Sequence, residues 1–255
     1  TGDVADMASF EEFYEAYKTQ QSYMIKLLVN ANNAIDMAHA VRCPLPFQSC
    51  MVEDCIGRGK SLQEGGAVYN FTGPQGFGIA NMTDALWAIK KLVFEEKKYT
   101  LEDFKNAVEN NFGKDMDAAV AQKLTAQVVV ELHKKGAVPN NDEIVEIFNK
   151  VRSNPPSDCQ KAFYDKMLED IAAIDKFGND KKEIDAFARE IAYVYTREME
   201  KFENPRGGKF QAGLYPVSAN VPLGAQTGAT PDGRYAGTPV ADGVSPSAGR
   251  DVCGP

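Results

Sequence analysis

Two short stretches combine polar side chains with bent backbone in a way that could hold a small molecule. Tyr69, Asn70 and Thr72 bring a phenol, a carboxamide and a hydroxyl together just before Gly73-Pro74-Gln75-Gly76-Phe77-Gly78. Val217, Ser218, Ala219 and Asn220 alternate small apolar with small polar residues between Pro216 and Pro222. The chemistry open to both sets is neutral hydrogen bonding to a small polar ligand. These seven residues are the substrate-pocket candidates. A second use is equally open to Tyr69 and Asn70, which could satisfy carbonyls of their own loop. No residue is assigned a catalytic role, and no metal-ligand set is found.

The thiols point the same way. Cys43, Cys50, Cys55, Cys159 and Cys253 are odd in number and irregular in spacing. That pattern fits reduced, unpaired cysteines in a reducing compartment rather than disulfide or zinc arithmetic. Cys43, Cys50 and Cys55 also lack the CxxxCxxC spacing of an iron–sulfur site. His39, one of two histidines, reads as a helix-end residue making an ordinary hydrogen bond.

The elements around these residues follow from periodicity and punctuation. Val68 to Phe71 reads as a short strand entering a Gly-built turn, and Tyr215 to Val221 as a second strand beside it, their ends facing one cavity. Period-two geometry would place Val217, Ala219 and Val221 on one face of the second strand and Pro216, Ser218 and Asn220 on the other. Ten of the 21 Gly and six of the 13 Pro lie between Arg206 and Pro255. Thr230-Pro231-Asp232-Gly233-Arg234 is a turn with a mechanism: Pro presets φ, Asp bonds its own backbone, and Gly takes the reversed dihedral. A flexible tail is the alternative reading of this stretch. It lacks the charge runs and low-complexity repeats of disorder, and a specified, wrapped loop is expected. Gly73 to Gly78 does not have the GxGxxG spacing or the preceding apolar strand of a nucleotide loop.

The remainder is helical. Phe10, Phe13, Tyr14, Tyr17, Met24, Leu27 and Leu28 gather on one face of an N-terminal helix that ends at Arg42-Cys43-Pro44. A shorter helix is expected from Phe47 to Ile56, stopping in Gly57-Arg58-Gly59. Leu86, Ile89 and Val93 form a further stripe, and Thr100 with Asp103 forms a capping box ahead of Phe104 and Val108. Leu124, Val128 and Leu132 continue until Gly136 and Pro139. Ile144, Ile147, Phe148 and Val151 precede Pro155-Pro156, and Ile184, Phe187, Ile191, Tyr195, Met199 and Phe202 mark the last long helix. The predicted layout is helical over 1–62, strand and Gly loop over 63–80, helical over 81–204, and strand with Gly/Pro-rich loop over 205–255.

Composition narrows the function classes. A net charge of −8 without a basic run argues against a nucleic-acid partner. No 18-residue apolar run or signal-peptide pattern appears, which fits neither a membrane span nor secretion and points to the cytoplasm. Asn70-Phe71-Thr72 and Asn81-Met82-Thr83 are formal glycosylation sequons that carry no weight without a secretory signal.

PVSANVPLGAQTGATPDGRYAGTPVADGVSPSAGRDVCGP, from Pro216 to Pro255, resembles the C-terminal half of the glycyl radical enzymes. That family includes pyruvate formate-lyase, glycerol and diol dehydratases, choline trimethylamine-lyase, isethionate sulfite-lyase and hydroxyproline dehydratase. EGGAVYNFTGPQG, from Glu64 to Gly76, and Lys176-Phe177-Gly178-Asn179-Asp180 match the same family in the same order. The resemblance implies an α/β, predominantly helical piece of a ten-stranded α/β barrel. It implies a lyase that works through a thiyl radical, with a small-molecule substrate and a glycyl radical as cofactor. It further implies a homodimer, a separate radical S-adenosylmethionine activating enzyme, and a cytoplasmic location to which a bacterial microcompartment is an open refinement.

The family's catalytic Cys, followed two residues later by a Glu base, is not found. Met51-Val52-Glu53-Asp54-Cys55 has the wrong order, and Cys50-Met51-Val52-Glu53 has the wrong spacing. The radical-bearing Arg-Val-x-Gly-Tyr run is not found either. The chain therefore reads as an internal piece of a longer enzyme, inactive alone, with both groups outside these residues. PVSANVPLG and ADGVSP sit nearer the dehydratase and C–X lyase branch than pyruvate formate-lyase itself. No Arg falls between Arg206 and Arg234 to pair with an anion bidentately, so a neutral substrate such as glycerol or a 1,2-diol is expected. A formate acetyltransferase-type enzyme and a non-catalytic helical interaction module are the alternatives; the second leaves the two Gly-rich blocks unexplained.

Overall fold

The structure is a computed structural model that describes residues 2–114, 116–136, 139–152 and 156–253. Helices dominate: α1 (Phe10–Arg42), α2 (Pro46–Cys50), α3 (Cys55–Arg58), α4 (Ile79–Ile89), α5 (Leu101–Glu109), α6 (Met116–Lys135), α7 (Asn141–Arg152), α8 (Asp158–Ala173), α9 (Lys182–Met199) and α10 (Asn220–Ala225). The chain divides into two compact units. The first holds Glu11–Gly76 and Ala188–Tyr215; the second holds Gly2–Phe10, Phe77–Phe187 and the chain from Pro216 onward.

In the first unit the core is built where α1 and the C-terminal part of α9 contribute residues one turn apart. Ile25 and Val29 join Tyr195, Met199 and Phe210, with Phe202, Ala212 and Leu214 packed against them. Of the expected α1 stripe, Phe10, Phe13, Tyr14 and Tyr17 are half-buried, but its later members depart from it. Met24 is 60% exposed, and Leu27 and Leu28 are also exposed, because the single position Ile25 and its i+4 neighbour carry the burial. The expected helix over Phe47–Ile56 is two pieces, α2 and α3, separated at Asp54, which takes φ 76°. A residue in the left-handed region cannot continue an α-helix.

Backbone pairing in this unit differs from the expected strands. Among the described residues only isolated bridges occur. Val68–Phe71 is not a strand; the extended chain begins at Thr72 and runs parallel to Lys209–Gly213, bridging Thr72 to Phe210 and Gln75 to Gly213. Thr72 N donates to Lys209 O at 3.0 Å, Gln211 N to Thr72 O at 2.8 Å, Gly213 N to Pro74 O at 2.9 Å and Gly76 N to Gly213 O at 2.8 Å. Phe210 explains the choice of partner. It is fully buried, and Ala212 and Leu214 follow it at period two into the same core.

In the second unit α4 is buried along its length, with Met82 as the exposed exception. Such an all-round apolar helix needs every polar group partnered. Thr83 meets this by donating to Ile79 O at 2.8 Å. The helix continues as a π-helix over Lys90–Glu95, where the Lys90 ammonium lies 5.0 Å from the Trp87 ring centre and 5.6 Å from that of Phe10. The Thr100–Asp103 capping box forms as expected: Thr100 N donates to Asp103 Oδ2 at 2.8 Å and Asp103 N to Thr100 Oγ1 at 3.1 Å. Ser157 and Gln160 form a second box at the start of α8. Gly136 ends α6 with φ 67°, and α6 packs on α7. The Val151 side chain lies outside the described residues.

Tyr215–Val221 is also not a strand. Ser218 and Ala219 form a turn, and Asn220 opens α10. Pro222 fits there because a first-turn residue has no intrahelical acceptor for its N–H, so its lack of one costs nothing. The alternation of small residues that resembled a strand is a turn followed by a helix.

Candidate functional site

The Gly/Pro-rich run from Thr227 to Cys253 is ordered from within by two residues. Arg234, only 6% exposed, spends its guanidinium on the loop's own oxygens. Nη1 donates to Thr238 O at 2.6 Å and Tyr235 O at 3.2 Å, Nη2 to Thr227 O at 3.3 Å and to Gly228 O, and Nε to Thr230 Oγ1 at 3.2 Å. Asp232 is fully buried. It accepts from Thr230 Oγ1 and from Arg234 N at 3.4 Å, closing the turn that Gly233 permits with φ 85°. Both residues lie in the TPDGR run.

Asparagine side chains then tie the loop to the helices. Asn81, in the first turn of α4, uses both ends of its amide. Nδ2 donates to Asp232 Oδ2 at 2.8 Å and Ser247 Oγ at 3.2 Å, while Oδ1 accepts from Ala241 N at 2.6 Å. Asn111 Oδ1 accepts from Ala236 N at 2.8 Å, and Asn220 Nδ2 donates to Val240 O at 3.0 Å. Asn179 Oδ1 accepts from Val252 N at 2.8 Å and Cys253 N at 3.2 Å, and its Nδ2 donates to Arg250 O at 2.9 Å. A carboxamide carries a donor and an acceptor like a peptide group, so each Asn stands in for a strand partner that this loop does not have. Gly178 lets the two segments meet: a Cβ there would lie 2.3 Å from Pro246 Cγ.

Four charged groups interact here, Asp84 and Lys176 from the helical part and Asp232 and Arg250 from the loop itself. Asp84 is 1% exposed and accepts from Phe177 N at 2.9 Å through Oδ1, while its buried Oδ2 has no hydrogen-bond partner. Burial pushes its pKa up from 3.8 to about 6, against the lowering pull of the Phe177 N–H and Lys176. Lys176, 8% exposed, donates to Ile171 O and, at 3.3 Å, to Ile174 O at the end of α8. Burial pulls its pKa down to about 8, although the Asp84 carboxylate works to raise it. Arg250 Nη1 donates to Asp232 O at 2.5 Å and lies 3.8 Å from Asp232 Oδ2. A cavity of about 480 Å³ opens beside this group. Its lining includes Lys176, Asn179, Asp232 and Arg250 together with Leu168 and Ile171. A volume of that order is ordinary for a small-molecule site.

The seven candidate residues divide between the units: Tyr69, Asn70 and Thr72 in the first, and Val217, Ser218, Ala219 and Asn220 in the second. Asn70 Nδ2 donates to Ala67 O at 2.9 Å and Gly65 O at 3.4 Å. Thr72 Oγ1 accepts from Asn204 Nδ2 at 2.9 Å and Arg206 Nη2 at 3.0 Å. Tyr69 is 83% exposed, Val217 and Ser218 are exposed, Ala219 is half-buried, and Asn220 holds Val240. Asp84 was not singled out from the sequence, and Asn81 and Lys176 entered only within a formal sequon and the family-like Lys176–Asp180 run, with no site role. The signal available was an acid and an amide inside Ile79-Ala80-Asn81-Met82-Thr83-Asp84-Ala85-Leu86-Trp87, otherwise a core helix. The five cysteines are free thiols, Cys55 alone being buried. Among the described residues no group of three or more His, Cys, Asp or Glu could hold a metal ion, and no helix is long and apolar enough to cross a membrane.

The pyruvate formate lyase-like family profile matches residues 1–224. The chain belongs to that family. Trans-4-hydroxy-L-proline dehydratase of Clostridioides difficile is 31% identical over all of this chain, which covers 26% of that protein. (2S)-3-sulfopropanediol dehydratase of Klebsiella oxytoca is also 31% identical, again over all of this chain and 26% of the relative. A structure solved for 1,2-propanediol dehydration in Roseburia inulinivorans superposes with TM-score 0.81 at 52% identity, covering 99% of this chain and 27% of that one. The glycerol-bound B12-independent glycerol dehydratase of Clostridium butyricum gives 0.77 at 44% identity, over 100% of this chain and 26% of that one. The chain thus spans about a quarter of the length of the proteins it matches, and its relatives include glycyl radical enzymes and dehydratases.

Proposed function

We propose that this chain is part of a glycyl radical dehydratase acting on a small neutral polyol such as glycerol or a 1,2-diol. The observation that carries the reading is the 52% identity, over 99% of the chain, with the structure solved for 1,2-propanediol dehydration. The arginines support it. Arg206 pairs with Asp36 at 3.0 Å and with Thr72, Arg234 is spent on loop carbonyls, and Arg250 on Asp232. Neither Arg206 nor Arg234 is left to grip an anionic substrate bidentately, as a sulfonate or carboxylate would demand, while Arg250 meets Asp232 through Nη1.

In this reading the chain contributes to a ten-stranded α/β barrel, with Tyr69, Asn70 and Thr72 as the substrate-contact candidates of the first unit and Val217, Ser218, Ala219 and Asn220 as those of the second. The glycyl radical, on a glycine outside these residues, supplies hydrogen-abstraction chemistry. The residues described here fix the loop from Thr227 to Cys253 so that it needs no reordering when substrate binds, which is positioning rather than acid–base work. The whole enzyme is a cytoplasmic homodimer activated by a radical S-adenosylmethionine enzyme; enclosure in a bacterial microcompartment is compatible with it. The test is anaerobic activation of the full-length enzyme, followed by product analysis with 1,2-propanediol, glycerol, choline, isethionate and pyruvate. Water loss from the diols supports the reading; activity confined to pyruvate would place the enzyme with the formate acetyltransferases instead.

A further inference from the structure

The second unit contains a nucleophile that the dehydratase reading does not use. Lys176 lines the cavity of about 480 Å³, whose lining also includes the aliphatic side chains of Leu168, Ile171 and Ile174. Its Nζ hydrogen bonds run to the carbonyls of Ile171 and Ile174. These two bonds need two N–H groups, so a neutral amine can keep both and still present its lone pair. We propose that Lys176 is a covalent capture site for small aliphatic aldehydes that enter this cavity. The amine adds to the carbonyl carbon to give a carbinolamine, which loses water. One C=O bond is exchanged for C=N, and both amine protons leave with the oxygen, so no oxidant or reductant is required.

The charged surroundings decide whether the amine is available. Asp84 from α4, Asp232 from the loop and the neighbouring Asp175 favour the ammonium, whereas burial and Arg250 favour the free amine. Burial wins, leaving a pKa of about 8. At pH 7 the neutral fraction then exceeds that of an ordinary lysine by on the order of a hundredfold. A desolvated lysine beside a second cation is a recognised way to make a carbonyl-reactive amine. The aliphatic side chains of Leu168, Ile171 and Ile174 in the lining favour a short alkyl chain over a hydrated polyol. A supply of such aldehydes within the same enzyme rests on the dehydratase reading, because water loss from a 1,2-diol yields one; the capture step does not.

The experiment therefore uses added propanal and the full-length protein without radical activation. Imines are trapped with cyanoborohydride, and lysine adducts are mapped by peptide mass spectrometry from pH 6 to 10. Lys176 should be labelled about tenfold faster than the exposed Lys98, Lys105 and Lys166 at pH 7. Its rate should level off above about pH 8 while theirs continue to climb. Asp84→Asn, which removes a carboxylate favouring the ammonium, should raise labelling at Lys176 at pH 7, and Lys176→Arg should abolish that adduct alone. Labelling that follows exposure, with Lys176 no faster than Lys98, overturns the proposal whether or not the enzyme dehydrates diols.

Discussion

Replacing Asp84 by Asn should stabilise the protein at neutral pH, and should do so only where the wild-type carboxyl is charged. Asp84 Oδ1 accepts from Phe177 N at 2.9 Å, and an amide oxygen can accept the same bond, so the variant keeps the contact that is made. What it removes is a buried charge whose second oxygen has no partner. The folded pKa of about 6 lies above the ordinary 3.8, so the folded protein holds this proton more tightly than the unfolded chain. The associated stability is present below pH 3.8 and is lost as pH rises through about 6. At about 1.4 kcal/mol per decade, the ionised carboxylate costs about 3 kcal/mol above pH 6. Loss of its attraction for Lys176 is already contained in that difference. Denaturant unfolding of the full-length wild type and Asp84→Asn should therefore agree near pH 3 and diverge by up to about 3 kcal/mol, in favour of the variant, at pH 7.5. A variant less stable than wild type by the same amount at both pH values would refute the reasoning, showing that the carboxylate is needed for packing or bonding whatever its charge.

Asn81→Ala removes three bonds to Asp232, Ala241 and Ser247 at once. It should cost about 3 kcal/mol and accelerate amide exchange at Ala241, which hydrogen-exchange mass spectrometry would detect. Gly178→Ala combines φ 89° with a Cβ 2.3 Å from Pro246, and should lower the denaturant midpoint by more than the roughly 1 kcal/mol of a simple left-handed penalty. Thr100→Ala takes one side from the α5 capping box and should cost about 1 kcal/mol, while Thr100→Ser restores most of it.

Where one residue type in one pattern has a single physical solution, the sequence was readable. The i, i+3, i+4 stripe from Ile184 to Met199 became α9 with each named residue buried. Thr100 and Asp103 became a cap, and the TPDGR turn and its glycines became an ordered loop. The strands failed because period two in small residues is a weak signal. Val217 to Val221 has no bulky side chain to choose a face, whereas Phe210, Ala212 and Leu214 do. Asn70 shows the other limit. Its amide could serve a ligand or its own loop, and only coordinates reveal that Gly65 and Ala67 receive it. The Asp84 and Lys176 pair was invisible for a different reason, since they are 92 positions apart and their perturbed charges arise from burial that only the folded chain creates.

The most direct measurement is the substrate preference of the full-length, anaerobically activated enzyme, read as kcat/KM for 1,2-propanediol and for isethionate in the same preparation. A site for a small neutral substrate should turn over 1,2-propanediol to propanal and leave isethionate untouched. Cleavage of isethionate with no turnover of the diol would contradict the account.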